Sequence, residues 1–321
     1  MAAAGIAAAV GVAGRDFTIL AGTASPALGA AIAQELGVPV GACDIARYPD
    51  GEVAVQLRES VRRKEVFLVQ STAPPVDEHL VELLALADAC RRAVALRITA
   101  IMPYFGYGRS DKRSGRREPI MGRVVADVLQ AVGTGHVVTV DLHTPQIEGF
   151  FHAPVDGLTA VPTLCDAMRG RLPRDVVVVS PDAGRVRLAS TYARCLGAPV
   201  VVLHKRRESA TQTAVTHVVG EVAGRACLLV DDMISTGATV ASGIAALLAA
   251  GARPEIVVAA THGLFVAGTG DRLRHPALRH LFVTDTVGPG APPNTTVVSV
   301  APLIAAAVER VLADGAVGDI Y

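Results

Sequence analysis

Residues 228–239 read Leu-Leu-Val-Asp-Asp-Met-Ile-Ser-Thr-Gly-Ala-Thr, an apolar run that ends in two adjacent carboxylates and a hydroxyl-rich loop. A buried strand over residues 227–230 would deliver Asp231 and Asp232 to the carboxyl edge of a parallel sheet, where open α/β folds bind ligands. The loop Ser235, Thr236, Gly237, Ala238 and Thr239 can turn backbone N–H groups and hydroxyls toward a phosphate. A helix expected from about Val240 to Gly251 would add its dipole. Acids for hydroxyls and a loop for phosphate together suit a sugar phosphate. A polar turn capping an ordinary βα unit would have the same composition.

Four further segments carry chemistry. Tyr48-Pro49-Asp50-Gly51-Glu52 is a turn signal with two acids and an aromatic ring, and equally a plain exposed hairpin turn. From Pro103 to Pro119, three aromatics (Tyr104, Phe105, Tyr107) precede five basic residues, of which Arg109 comes first and is followed by Ser110 and Asp111. Rings and a guanidinium could stack on a purine while the cations meet polyphosphate; a solvated basic loop is the alternative. Asp141 and His143 lie two residues apart where a strand over residues 136–142 is expected to end. Strand alternation would put them on one side, facing a metal or phosphate. Asp182, in Ser-Pro-Asp-Ala-Gly, ends another apolar run and with His143 makes a candidate Mg²⁺ pair, since Mg²⁺ on polyphosphate takes few protein ligands. His204-Lys205-Arg206-Arg207 follows an apolar strand signal. Consecutive cations there could clamp a transferring phosphoryl group, or simply form a surface charge run.

The elements that must position these residues alternate along the chain. Strand patterns at 17–20, 66–70, 98–103 and 136–142 are separated by helical patterns at 26–36, 77–93 and 121–132. Val124, Val125, Val128 and Val132 are expected on one face of the third helix. The pattern restarts with strands at 176–180, 200–203, 226–230 and 255–260 and a helix at 186–196. Serial βα units imply mainly parallel sheets flanked by helices. The expected organisation is an Ala-rich flexible extension over 1–16, two similar α/β domains over 17–157 and 158–300, and a closing helix and tail over 301–321.

Composition narrows the function classes. The 30 Lys and Arg balance 30 Asp and Glu, so a general nucleic-acid binder or membrane-surface protein is not favoured. Only three of the basic residues are lysines: Lys64, Lys112 and Lys205. The five cysteines form no CxxC pair and sit in or beside apolar segments, which fits reduced structural thiols in a cytoplasmic protein.

Taken together, DGE, YGYGRSDK, VDLHTPQIEGFF, SPDAG, KRR and VDDMISTGAT occur in an order that closely resembles the ribose-phosphate diphosphokinase (PRPP synthetase) family from Phe17 to the C-terminus. No GxxxxGK(S/T) pattern is present, so the ATP site would not be a Walker type. The resemblance implies two phosphoribosyltransferase-like domains. It also implies transfer of the diphosphate of ATP to the 1-hydroxyl of ribose 5-phosphate, with Mg²⁺, giving PRPP and AMP. Tyr48, Asp50 and Glu52 would then serve an ATP site across a subunit interface, in a homo-hexamer or smaller assembly. Arg109, Ser110, Asp111 and His143 would also bind ATP, and His143 and Asp182 would hold Mg²⁺. Lys205 and Arg207 would be catalytic loop cations. Asp231 and Asp232 would bind the ribose hydroxyls, and Ser235 to Thr239 the 5-phosphate. Ser110, Ser235 and Ala238 depart from the commonest family pattern, and a Cβ at Ala238 is expected to restrict positive φ in the loop. A phosphoribosyltransferase or a regulatory paralogue of the synthetase are the rival readings.

Overall fold

The computed structural model describes residues 15–113, 115–207 and 213–320; for 205–207, 213–216 and 319–320 the description covers the backbone. The extension over 1–14 lies outside the described residues. Residues 15 and 16 belong to the fold: Arg15 pairs with Glu65 at 2.7 Å, and the Asp16 carbonyl accepts from the Glu65 amide at 3.0 Å.

The chain divides into two compact units, residues 1–158 with 301–321, and residues 159–300. The first contains β1 (Phe17–Ala21), α1 (Pro26–Glu35), β2 (Cys43–Arg47), β3 (Val53–Leu57), β4 (Glu65–Val69), α2 (Val76–Arg92), β5 (Arg97–Met102), α3 (Met121–Ala131), β6 (His136–Val140) and β7 (Val155–Leu158). Its parallel sheet has the order β1-β4-β5-β6-β7, and β2 and β3 form a separate antiparallel hairpin. Leu68, Met102 and Val137 from the sheet, with Leu86 of α2 and Leu129 of α3, are among its fully buried core residues.

The second unit contains α4 (Val161–Met168), β8 (Val177–Ser180), α5 (Val186–Leu196), β9 (Val200–Arg207), β10 (Thr213–Val219), β11 (Cys227–Ile234), α6 (Ala238–Ala249), β12 (Ile256–Gly263), α7 (Thr269–Arg272), β13 (Leu278–Thr284) and β14 (Thr295–Val298). Its sheet order is β10-β9-β8-β11-β12-β13-β14, parallel except for the edge strand β10. From β8 the chain moves outward to β9 and β10, then returns to pair β11 on the other side of β8. The carboxyl ends of β8 and β11 therefore flank the point where strand order reverses, the usual ligand crevice of such sheets. The closing helix α8 (Ala301–Leu312) packs on α1 and so belongs to the first unit.

Several elements differ from expectation. The buried stripe of α3 is Gly122, Val125, Ala126 and Leu129, an i, i+3, i+4, i+7 set, while Val124 is 43% exposed. Strand β11 continues through both aspartates because β12 keeps pairing with it, Met233 against His262 and Ile234 against Gly263. Strand β9 likewise extends through Lys205 and Arg207, which pair with Val215 and Thr213 of β10. These cations are thus strand residues, not residues of a loop following a strand; residues 208–212 lie outside the described residues. The hairpin β2–β3 and strands β7, β10, β13 and β14 are additions to the expected pattern.

All five cysteines are free thiols. Burial pushes Cys90 up to about 12 and Cys227 up to about 11, so neither is a nucleophile at neutral pH. Among the described residues no helix is long and apolar enough to cross a membrane.

Candidate functional site

In the second unit, the end of β8 and the end of β11 build one polar cluster. At β8, the Ser180 hydroxyl donates to the Asp182 carbonyl at 2.7 Å, and Asp182 Oδ1 accepts from the Gly184 amide at 2.9 Å. This cap forces a short 3-10 turn over Ala183–Arg185 that runs into α5. The turn returns the Arg185 side chain to β11, with Nε 3.3 Å from Asp231 Oδ1 and Nη2 3.1 Å from Asp232 Oδ2. Asp231 Oδ1 also accepts from the Asp232 amide at 2.9 Å, so the side chain curls along its own strand. Burial first, then the neighbouring Asp232 carboxylate, push the Asp231 carboxyl well above its ordinary 3.8, and Arg185 opposes that rise. Arg185 escaped sequence reading although it directly follows the Ser-Pro-Asp-Ala-Gly segment; the available signal was a single Arg at the start of a helix beside a strand-end acid.

The loop after β11 leads into α6, which starts at Ala238, two residues earlier than expected. Gly237 is its N-cap with φ +75°, and Ala238 is the first helical residue. The expected conflict at Ala238 is therefore absent: the left-handed position falls on Gly237, and the Ala238 methyl is exposed. Short α7 buttresses the loop. Thr269 Oγ1 donates to the Ser235 carbonyl at 2.7 Å, and Arg272 Nη1 donates to the Thr236 carbonyl at 3.1 Å. The Thr236 hydroxyl accepts from the Ala238 amide at 3.3 Å. Ser235 and Thr239 are half-buried, and Thr236 is exposed.

Gly237→Ala is expected to distort this loop. A left-handed non-glycine residue costs about 1–2 kcal/mol, and the new Cβ would lie 3.3 Å from the Leu273 and Thr269 side chains. The expected result is a roughly tenfold higher KM for a sugar phosphate from that strain alone, measured by steady-state kinetics with a melting curve as control.

In the first unit, the segments after β5 and β6 meet. A Cβ on Gly108 would lie 3.5 Å from His143 Cβ. Asp111 is buried, with Oδ2 accepting from Thr144 Oγ1 at 2.8 Å and Gln146 Nε2 at 2.5 Å. It clasps the two loops together. Ser110 Oγ accepts from the Met121 amide at 3.1 Å and so caps α3. Arg109 is exposed and His143 half-buried. Of the three rings proposed to stack on a purine, Tyr104 and Phe105 are core residues, each 5% exposed. Phe105 packs edge-on against Phe151 at 6.0 Å. Tyr107 is half-buried and donates its hydroxyl to Asp77, an interaction that keeps it protonated. Strand β6 ends at Val140, and Asp141 takes φ +41°. Strand alternation therefore does not relate Asp141 to His143.

Tyr48, Asp50 and Glu52 form the exposed tip of the β2–β3 hairpin. The Tyr48 amide donates to the Glu52 carbonyl at 2.8 Å, and Asp50 Oδ1 accepts from the Glu52 amide at 3.1 Å. Among the described residues, no three His, Cys, Asp or Glu side chains gather into a self-contained metal site. His143 stands in the first unit and Asp182 in the second, and each offers a single donor, an imidazole and a carboxylate, to a cation brought in on polyphosphate.

A family model for the N-terminal domain of ribose phosphate pyrophosphokinase matches residues 17–133, and one for the phosphoribosyl transferase domain matches residues 170–275. The ribose-phosphate pyrophosphokinase of Streptomyces coelicolor is 43% identical over 314 residues, 96% of each chain. That of Mycobacterium tuberculosis is 41% identical over 314 residues, again 96% of each. The crystal structure of phosphoribosylpyrophosphate synthetase from Mycobacterium smegmatis superposes with a TM-score of 0.87 at 40% identity, covering 94% of this chain and 100% of that one. With both halves matched and nearly the whole length covered, the chain belongs to the ribose-phosphate pyrophosphokinase (PRPP synthetase) family.

Proposed function

We propose that this chain is a ribose-phosphate diphosphokinase: O1 of ribose 5-phosphate attacks the β-phosphorus of ATP, the α,β bridge breaks, and PRPP and AMP leave. The observation that carries this reading is the cluster at the strand-order reversal. Two aspartates and a hydroxyl loop at a helix N-terminus stand there side by side, on a chain of this family. Asp231 and Asp232 would accept hydrogen bonds from the ribose hydroxyls. The amides and hydroxyls of Ser235, Thr236, Gly237, Ala238 and Thr239 would hold the 5-phosphate.

The first unit would bind ATP. Arg109 is exposed beside the loop that carries His143, and suits the adenine or the phosphates. Asp111 and Ser110 would shape this pocket through their bonds to Thr144, Gln146 and the α3 amide. Tyr48, Asp50 and Glu52, on an exposed hairpin tip, would complete the ATP site of a neighbouring copy in a homo-hexamer or smaller assembly. Lys205 and Arg207 would offset charge on the diphosphate in flight, because such transfers need positioning and neutralisation more than a covalent nucleophile. Mg²⁺ entering with ATP would meet His143 in the first unit, directly or through its waters, and would withdraw charge from the phosphate oxygens; Asp182 would offer a carboxylate to such a cation from the second unit. The setting is cytoplasmic nucleotide biosynthesis.

The test is AMP release with ATP, Mg²⁺ and ribose 5-phosphate, each omitted in turn. AMP is expected only when all three are present. No ribose-phosphate-dependent AMP would reject the reading, and PRPP consumption with a free base would indicate a phosphoribosyltransferase instead.

A further inference from the structure

We propose that Arg185 is a positioning residue for the acceptor sugar, holding Asp231 and Asp232 as one preformed pair of hydrogen-bond acceptors at the strand-order reversal. The proposal rests on the reading of this cluster as the ribose 5-phosphate site.

Adjacent residues of a strand send their side chains to opposite faces. Asp231 and Asp232 nevertheless share one guanidinium, through Nε at 3.3 Å and Nη2 at 3.1 Å. The planar fork of Arg offers donors at fixed separation, which a point-charge ammonium does not. Its geometry here couples the two carboxylates across the strand. Asp231 Oδ1 takes both the Asp232 amide and Arg185 Nε, so the two contacts hold the same carboxylate oxygen.

Charge points the same way. The side chains of Arg185, Asp231 and Asp232 are 17%, 14% and 6% exposed, so water screens them poorly. Two unopposed acids would repel each other and an incoming phosphorylated sugar. One guanidinium leaves the trio with a single formal negative charge, suited to neutral hydroxyl donors. The Asp182 cap sets the turn that brings Arg185 there, so the same short segment that ends β8 also organises the end of β11.

The experiment compares wild-type protein with Arg185→Gln and Arg185→Lys by steady-state kinetics in both substrates. Arg185→Gln is expected to raise KM for ribose 5-phosphate about 10–100-fold, as second-layer partners of ligating groups do. Its kcat and its KM for ATP should stay within about twofold, because Arg185 orients acceptors and does not touch the transferred group. Arg185→Lys should recover part of the loss, which a residue needed only for folding would not show as a selective KM effect. An unchanged KM for ribose 5-phosphate overturns the proposal, as does a lowered one, which would make Arg185 a competitor of the sugar. A fall in kcat alone overturns it too, by placing Arg185 against the reacting phosphates. If wild-type protein itself makes no ribose-phosphate-dependent AMP, the functional reading fails and the role of Arg185 with it; if only the variant pattern fails, Arg185 alone is reassigned.

Discussion

Lys205→Ala is expected to lower kcat by about 10²–10³-fold, with far smaller changes in KM for ATP or ribose 5-phosphate. The figure corresponds to roughly 3–4 kcal/mol, the cost of removing one donor that stabilises charge in a closed site. A loss of that kind falls on kcat because the interaction is made in the transition state and not in the ground state. Lys205 is one of only three lysines in an arginine-rich chain. It is also a backbone-paired member of β9, opposite Val215 of the antiparallel edge strand β10. Lys205 and Arg207 thus sit two positions apart on a two-stranded extension of the sheet that carries the acid pair. Rapid-quench single turnovers separate chemistry from product release. A variant with near-normal single-turnover rate would remove Lys205 from the mechanism.

Asp231→Asn is expected to raise KM for ribose 5-phosphate strongly while leaving the free protein at least as stable as wild type at neutral pH. The binding loss follows from exchanging a charged acceptor for a neutral one; hydrogen bonds to charged groups are worth about 1.5–3 kcal/mol, so the change is roughly 10–100-fold. The stability sign follows from the proton. Burial, and then Asp232, raise the Asp231 carboxyl above 3.8 in the folded state. The folded protein therefore holds this proton more tightly than the unfolded chain. That contribution to stability is full below the ordinary carboxylate range and is lost as pH rises through the raised value. Above the ordinary carboxylate range the raised Asp231 carboxyl is thus a stability cost, which Asn removes.

The same shift predicts the kinetics. The value of kcat/KM for ribose 5-phosphate should fall on acidification at a higher pH than an ordinary carboxylate would cause, and this limb should vanish in Asp231→Asn. Thermal melts and a pH–rate profile check both halves. A clearly lower melting temperature for the variant would contradict the account of the pair.

Much of the fold was legible because parallel strands buried on both faces are continuous apolar runs. Residues 17–20, 98–103 and 176–180 announce β1, β5 and β8 without help from tertiary context. The ends of strands were less legible. Asp231, Asp232, Lys205 and Arg207 are polar, so periodicity ends the strand before them. Pairing with β12 and with β10 extends it, and that is a non-local fact. The edge strand β10 and the hairpin β2–β3 do carry apolar residues, Val215, Val218 and Val219 in the one and Ile45, Val53, Val55 and Leu57 in the other, but in short runs that polar residues interrupt.

The site was legible to a similar depth. Residue types named the acids, the loop and the cations, but not which of them are committed to holding the structure. Asp111 looks like a ligand in sequence and is a buried clasp in space. Tyr104 and Phe105 look like a stacking platform and are core. Ala238 looked like a strained substitution, yet the helix starts at it and Gly237 takes the left-handed turn. Arg185 had no motif of its own, because its role exists only once β8 and β11 are neighbours.

The most direct test of the central claim is phosphorus NMR of the products formed from ATP, Mg²⁺ and ribose 5-phosphate. The account predicts AMP and a diphosphate attached at C1 of the sugar, in equal amounts. ADP with ribose 1,5-bisphosphate would mean transfer of a single phosphoryl group and would contradict it.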